Sequence, residues 1–124
     1  MPSKRILSVG QCAADHWMIE RALREHFDVE ITPAETSAEA IAELQQQPAT
    51  LVLINRIFDA DGASGLDLIR RLQADERLKA VPVMLISNYE DAQEEAVRLG
   101  AAKGFGKAAL GQPAMIERIG KFVK

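Results

Sequence analysis

The stretch LVLIN, Leu51 to Asn55, decides the fold. Its first four residues, Leu51 to Ile54, are apolar without alternation. A run of this kind suits a strand buried on both faces, as in a parallel sheet covered by helices. Arg5 to Val9 (RILSV) and Val83 to Ile86 (VMLI) have the same character. Phe27 to Thr32 differs. Phe27, Val29 and Ile31 alternate with Asp28, Glu30 and Thr32, the pattern of a strand with one wet face at a sheet edge. A fifth, weaker strand is expected at Ala102 to Phe105.

Helical segments separate these runs. Asp15 is a good N-cap for a helix to about Glu25, with Met18, Ile19, Ala22 and Leu23 on one face. Thr36 and Glu39 form a T-x-x-E capping box for a helix through about Gln46, which stops before Pro48. Leu66, Ile69 and Leu72 have helical spacing. Asn88 or Asp91 starts a fourth helix, ended by Gly100 in the position that follows a helix C-cap. Pro113 opens the last, whose stripe is Met115, Ile116, Ile119, Phe122 and Val123. The order is βαβαβαβαβα. It predicts a single α/β domain over 1–124, a flavodoxin-like (βα)5 three-layer sandwich. Its parallel sheet should have the strand order 2-1-3-4-5, with helices on both faces. Sites in such folds lie at the carboxyl ends of the strands. That directs attention to Gly10 to Asp15, Asn55 to Gly65, Ser87 to Tyr89 and Gly104 to Ala108.

Composition excludes several classes. The 124 residues carry 15 basic and 18 acidic side chains, a formal net charge of −3, which provides no electrostatic footprint for nucleic acid or an anionic membrane. One cysteine, Cys12, forms no internal disulfide and builds no Cys-rich metal site. The apolar run in MPSKRILSVG is too short for a signal peptide or a bilayer span. A cytoplasmic location is expected.

ILSVGQ, LVLIN, VPVMLIS and GAAKGFGK, placed along five βα units, together resemble a bacterial two-component receiver domain over essentially the whole chain. The resemblance implies a Mg2+-binding acidic pair at the end of the first strand, where this sequence has Gly10 and Gln11. It implies a phospho-acceptor aspartate at the end of the third strand, where Asn55 stands. A Thr or Ser and a Lys that hold the phosphoryl group fall on Ser87 and Lys107. Ala108 replaces the proline that usually follows the Lys. The family's aromatic switch position falls on Gly104, with Phe105 next to it. The loop NRIFDADGASG lacks the expected proline and is about two residues longer than usual. The resemblance therefore implies a degenerate or pseudo-receiver that has lost its three carboxylates. It implies a non-enzymatic signalling module of a two-component or phosphorelay-type pathway that works by protein–protein interaction. Mg2+ binding should be lost or weak, with no other metal or cofactor. Without its usual partner, Lys107 is expected to hydrogen-bond the Asn55 side-chain oxygen or face solvent. The expected partner is a protein, with a homodimer as a further candidate and neither nucleic acid nor membrane involved. By the same resemblance the interface falls on the fourth helix, fifth strand and fifth helix, around Tyr89, Glu94, Arg98, Lys103, Phe105 and Lys107.

Two other functions compete. Asp59 or Asp61 could act as a non-standard phospho-acceptor, with Mg2+ dependence as its mark. The pocket of Gln11, Asn55, Ser87 and Lys107 could sense a small anion. Plainer readings stand beside these. Asp59 and Asp61 fit a solvated Asp/Gly turn, and Asp15 fits a helix cap. Cys12 and His16, four apart, could approach as a thiol–imidazole pair, but nothing in the sequence orients them. His26 suits the last turn of a helix. GAAKGFGKAAL fails as a phosphate loop, because Ala101 and Ala108 stand where Gly and Ser/Thr are needed. Trp17 and Tyr89 fit partner contact and partial packing equally well.

Overall fold

The apolar runs become the strands of one sheet, and the amphipathic segments become the helices that cover it. The structure is a computed structural model that describes residues 4–124. The start of MPSKRILSVG, and so of the expected 1–124 domain, lies outside the described residues. In chain order the elements are β1 (Lys4–Val9), α1 (Ala13–Arg24), β2 (Val29–Ala34), α2 (Ser37–Gln46), β3 (Leu51–Asn55) and α3 (Gly65–Ala74). Then come β4 (Val83–Ile86), α4 (Glu90–Arg98), β5 (Ala102–Phe105), a single 3-10 turn (Lys107–Ala109) and α5 (Pro113–Val123). All strands are parallel, in the order β2-β1-β3-β4-β5. This is the flavodoxin-like arrangement expected from the sequence.

The sheet separates two cores. Leu7, Val9, Val52, Ile54 and Leu85 face the layer of α2, α3 and α4, together with Ala40, Leu68, Ile69, Leu72 and Ala96. Ile6, Leu51, Leu53, Met84 and Ile86 face α1 and α5, together with Ile19, Leu23, Met115, Ile119 and Val123. Leu51 to Ile54 are therefore buried on alternate sides, which is why LVLI has no polar position. Each such side chain contributes roughly 1.5–3 kcal/mol by leaving water. Arg5 is buried in β1 because its charge is matched: Nη2 meets Glu43 Oε2 at 2.6 Å and Nη1 donates to the Gln47 carbonyl at 3.0 Å.

The edge strand β2 occupies Val29–Ala34 rather than Phe27 to Thr32. Phe27 precedes it and is drawn into the α1/α5 core. Pro33 is tolerated in β2 because an edge strand leaves one row of N–H groups unused. The Thr36 cap forms as expected, its Oγ1 accepting from Glu39 N at 3.2 Å. The Glu39 carboxylate returns to the amide of Glu35 at 3.1 Å. Gly100 (φ 110) closes α4 in a Schellman motif, with Gly100 N to Val97 O and Ala101 N to Ala96 O, both 3.0 Å. The start of α1 departs from expectation. The N-cap is Cys12, whose sulfur accepts from Asp15 N at 3.5 Å, and Asp15 lies inside the first turn. The N-cap of α4 is Tyr89 rather than Asn88 or Asp91.

Candidate functional site

The carboxyl edge of the sheet brings Gly10, Asn55, Ser87 and Lys107 to one end of the molecule, as the strand order requires. Their geometry is that of a closed mouth. Gly10 has φ 79, a conformation that suits glycine. A Cβ at this position would lie 2.2 Å from Cδ1 of Phe58, whose ring is 1% exposed. The ring thus fills the space into which a side chain at position 10 would extend. Asn55 is turned inward. Its Nδ2 donates to the Gly10 carbonyl at 3.0 Å and to the Ile57 carbonyl at 2.7 Å. The Gly10 carbonyl also accepts from Asp59 N at 3.0 Å. The loop after β3 is thereby stitched across the end of β1.

That loop has its own order. Ile57 and Ser64 form an antiparallel bridge, and Phe58 N donates to Ala63 O at 2.9 Å. Phe58 points inward while Ile57 is 42% exposed. Asp59 and Asp61 are exposed, and Asp61 Oδ1 accepts from Ala63 N at 3.0 Å, the Asp-rich turn of the plainer reading. Phe58 was not singled out from the sequence. The signal available was an Ile-Phe pair inside an otherwise Asp- and Gly-rich loop.

Lys107 neither faces solvent nor bonds Asn55. Its Nζ sits 2.6 Å from Asp15 Oδ2, an ion pair across 92 residues of sequence with both side chains about one-third exposed. This corrects the reading of Asp15 as a helix cap. The first turn of α1 carries Asp15 over the end of the sheet, level with the turn after β5, while Cys12 supplies the cap. The hydrogen bond from Lys107 holds the Asp15 carboxyl below its usual value of 3.8, against the opposing effect of partial burial. Ser87 is largely buried and its Oγ accepts from Tyr89 N at 3.1 Å. Both side-chain atoms of the Gln11 amide are shielded from solvent, and no hydrogen-bond partner among the described residues meets them. The Cys12 sulfur is taken up in the cap, and His16 shows no partner at Nδ1.

Mg2+ is the ion that the receiver fold implies at this edge, and the donor set does not fit it. Position 10 has no side chain and no room for one, Gln11 is neutral, and Asn55 presents its amide hydrogens to carbonyls. Mg2+ is ordinarily held by carboxylates together with phosphate oxygens. Among the described residues, no three His, Cys, Asp or Glu side chains converge. Nor is any described helix long and apolar enough to cross a membrane.

The expected interface is corrected at Phe105, which is 2% exposed and packs into the α1/α5 core. The cause is an irregularity in β5: Met84 pairs with Ala102 and Ile86 with Phe105, so Lys103 and Gly104 together stand opposite Leu85. One extra residue reverses the side chain's direction. Tyr89, Glu94, Arg98 and Lys103 are exposed, with Arg98 paired to Glu95 and Lys103 to Glu90. Gly104 leaves no room for an aromatic switch, because a Cβ there would lie 2.1 Å from the Leu85 carbonyl. Gln93 of α4 instead stitches this region. Its buried carboxamide donates to Leu85 O (2.9 Å) and Ser87 O (3.0 Å) and accepts from Gly104 N (3.1 Å).

Two adjoining clefts, of about 360 and 560 Å3, share Arg56, Ile57 and Tyr89, and the smaller of them reaches Asn55. The Arg56 guanidinium lies 4.9 Å from the centre of the Tyr89 ring. Tyr89 is 59% exposed, and Trp17, on α1, is 57% exposed beside Arg21.

This fold is that of the response-regulator receiver domains. A Chloroflexus aurantiacus protein described as a response regulator superposes with a TM-score of 0.85 at 17% identity, over 98% of both chains. A response regulator receiver protein from Pseudomonas putida gives 0.79 at 23%, again over 98% of both chains. The signal receiver domain of a DNA-binding response regulator from Colwellia psychrerythraea gives 0.80 at 21%, over the same shares. No protein-family model matches the sequence, and no curated protein sequence matches it. The chain thus has the receiver-type (βα)5 fold, CheY-like in architecture. Gly10, Gln11 and Asn55 stand at its mouth.

Proposed function

We propose that this chain is a receiver-like signalling domain that acts by protein–protein interaction and is not phosphorylated at the usual position. One observation carries the reading: the Asn55 carboxamide is committed to the Gly10 and Ile57 carbonyls while the Phe58 ring fills the space beside Gly10. An acyl phosphate needs a carboxylate nucleophile. A neutral amide whose nitrogen donates to two carbonyls is not a carboxylate nucleophile, and its oxygen brings no negative charge to a cation. The remaining phosphoryl-binding positions have other partners, Lys107 with Asp15 and Ser87 with the Tyr89 amide. On this reading the domain is not an enzyme, needs no metal, and works inside the cell on a protein partner. Asp59 and Asp61 are less suited as acceptors, since among the described residues no third acidic side chain joins them to hold a metal ion.

The test is a backbone-amide NMR spectrum with and without Mg2+ plus beryllofluoride, an acyl-phosphate mimic. Unmoved peaks are expected. Shifts at Asn55, Ser87 and Lys107 that spread to α4 and α5 would overturn the proposal.

A further inference from the structure

The surface beside the closed mouth has a chemistry of its own. The loop that buries Phe58 turns Ile57 outward, and the N-cap position of α4 holds Tyr89 outward with its amide fixed by Ser87. Ile57 and Tyr89 are two of the exposed large apolar side chains, and both border the two adjoining clefts. Between them lies Arg56, its guanidinium stacked on the Tyr89 ring. Among the described residues, Arg56 forms no ion pair and no carboxylate lines the cleft of about 360 Å3; Asp91 and Glu95 line only the adjoining cleft of about 560 Å3, where Glu95 is held by Arg98. The other cation of that cleft, Lys107, is already neutralised by Asp15. One unpaired, delocalised positive charge thus sits between two exposed apolar side chains, prearranged by stacking.

We propose that this cleft is a docking site for a peptide segment of a partner protein that carries a carboxylate next to an apolar or aromatic side chain. The carboxylate takes the guanidinium edge, where a two-pronged pairing is available to Arg and not to Lys. The neighbouring side chain lies against Ile57 and Tyr89. Stacking restricts the arginine before binding, so less freedom is lost when the partner arrives. Charge complementarity selects an acidic segment over a basic one, and the exposed Ile57 and Tyr89 favour a peptide over a bare anion. The inference rests on the protein-interaction reading above and adds the site and the partner's chemistry to it.

The experiment is selection of a random short-peptide display library on the immobilised whole chain. Enriched peptides are then titrated against the wild type, R56Q, R56K and Y89A, each checked for an unchanged amide spectrum outside the site. The expected result is a consensus of Asp or Glu within a residue or two of a large apolar residue. Its affinity should fall about tenfold for R56Q, and for R56K where two-pronged pairing is lost. Y89A should weaken acidic peptides and their Asn/Gln counterparts alike. Enrichment of peptides without an acidic residue, equal binding to R56Q, or no enrichment would overturn the site. So would inorganic phosphate that competes fully at millimolar concentration, which would make the cleft a small-anion site. None of these outcomes repeats the beryllofluoride test, so this site can fail while the reading of an unphosphorylated domain stands.

Discussion

Asn55→Asp, which restores the residue type expected of a phospho-acceptor, should damage the protein rather than repair it. Asn55 Nδ2 donates two hydrogen bonds, at 3.0 Å to Gly10 O and 2.7 Å to Ile57 O. Each is worth about 0.5–1.5 kcal/mol net. An ionised aspartate donates neither, and it sets an oxygen carrying negative charge against two carbonyl oxygens. Lost bonds and repulsion together cost about 2–4 kcal/mol at neutral pH, with the half-exposed setting keeping the figure from rising further. Lys107 offers little relief, because pairing with the new carboxylate means leaving Asp15 at 2.6 Å. Asn55→Ala loses the bonds without the repulsion, and the Gly10 carbonyl keeps its bond from Asp59 N. It should cost less, about 1–2 kcal/mol. Urea denaturation at neutral pH should therefore rank the wild type above N55A and N55A above N55D.

The sign of the pH dependence adds a second check. Carbonyls that face the new carboxyl disfavour its charged form, so its folded pKa lies above the usual value of about 3.9. Below that value the group is protonated in both states and N55D is penalised least. The penalty grows as pH rises towards the folded pKa and is constant above it. An N55D protein as stable as the wild type at neutral pH, with no such pH dependence, would refute this account of the mouth.

Two further outcomes follow from neighbouring contacts. Gly10→Ala should destabilise by about 2–4 kcal/mol, from the positive φ and from a Cβ placed 2.2 Å from Phe58. In a Phe58→Ala background the steric part should disappear, so a double-mutant cycle should give coupling of about 1 kcal/mol or more, and additive effects would argue against the plug. Lys107→Met should remove the pH dependence contributed by Asp15. In the wild type the Asp15 carboxyl is depressed below 3.8 in the folded state, so its contribution, about 0.5–1 kcal/mol for a part-exposed pair, is full above that pH and fades as pH falls below it. Urea midpoints compared between neutral and strongly acidic pH check this.

What the sequence revealed and what it hid divide along physical lines. LVLI, the Thr36–Glu39 box, Gly100 and Pro113 act within a few residues of themselves, so their consequences could be read locally. The meeting of Gly10, Asn55, Ser87 and Lys107 was also legible, because strand alternation and right-handed crossovers place strand ends together without any side-chain detail. Phe58 was not, since which loop residue turns inward depends on the gap left beside Gly10. The Asp15–Lys107 pair spans the chain almost end to end, and no local pattern encodes it. Phe105 was placed at the interface by resemblance alone, and the resemblance carries no information on the irregularity opposite Met84 and Ile86 that accompanies its inward turn.

Ser87 and Lys107, which the receiver resemblance aligns with phosphoryl-binding positions, have other partners in the structure. A residue type can persist at a position after its chemical task has gone, provided the fold gives it another. Ser87 Oγ fixes the amide of Tyr89 at the start of α4, and Lys107 ties the turn after β5 to the first turn of α1. Gln93 then joins α4 to the ends of β4 and β5 where a switch would need freedom to move. Lys107 and Gln93 join separate elements at the mouth, and Ser87 fixes the short connection between β4 and α4. On the proposed reading, a domain tied in this way presents one surface to its partner. If that reading holds, output is set by how much of the domain is present and by what binds, which is the regime the proposed Arg56–Tyr89 site suits.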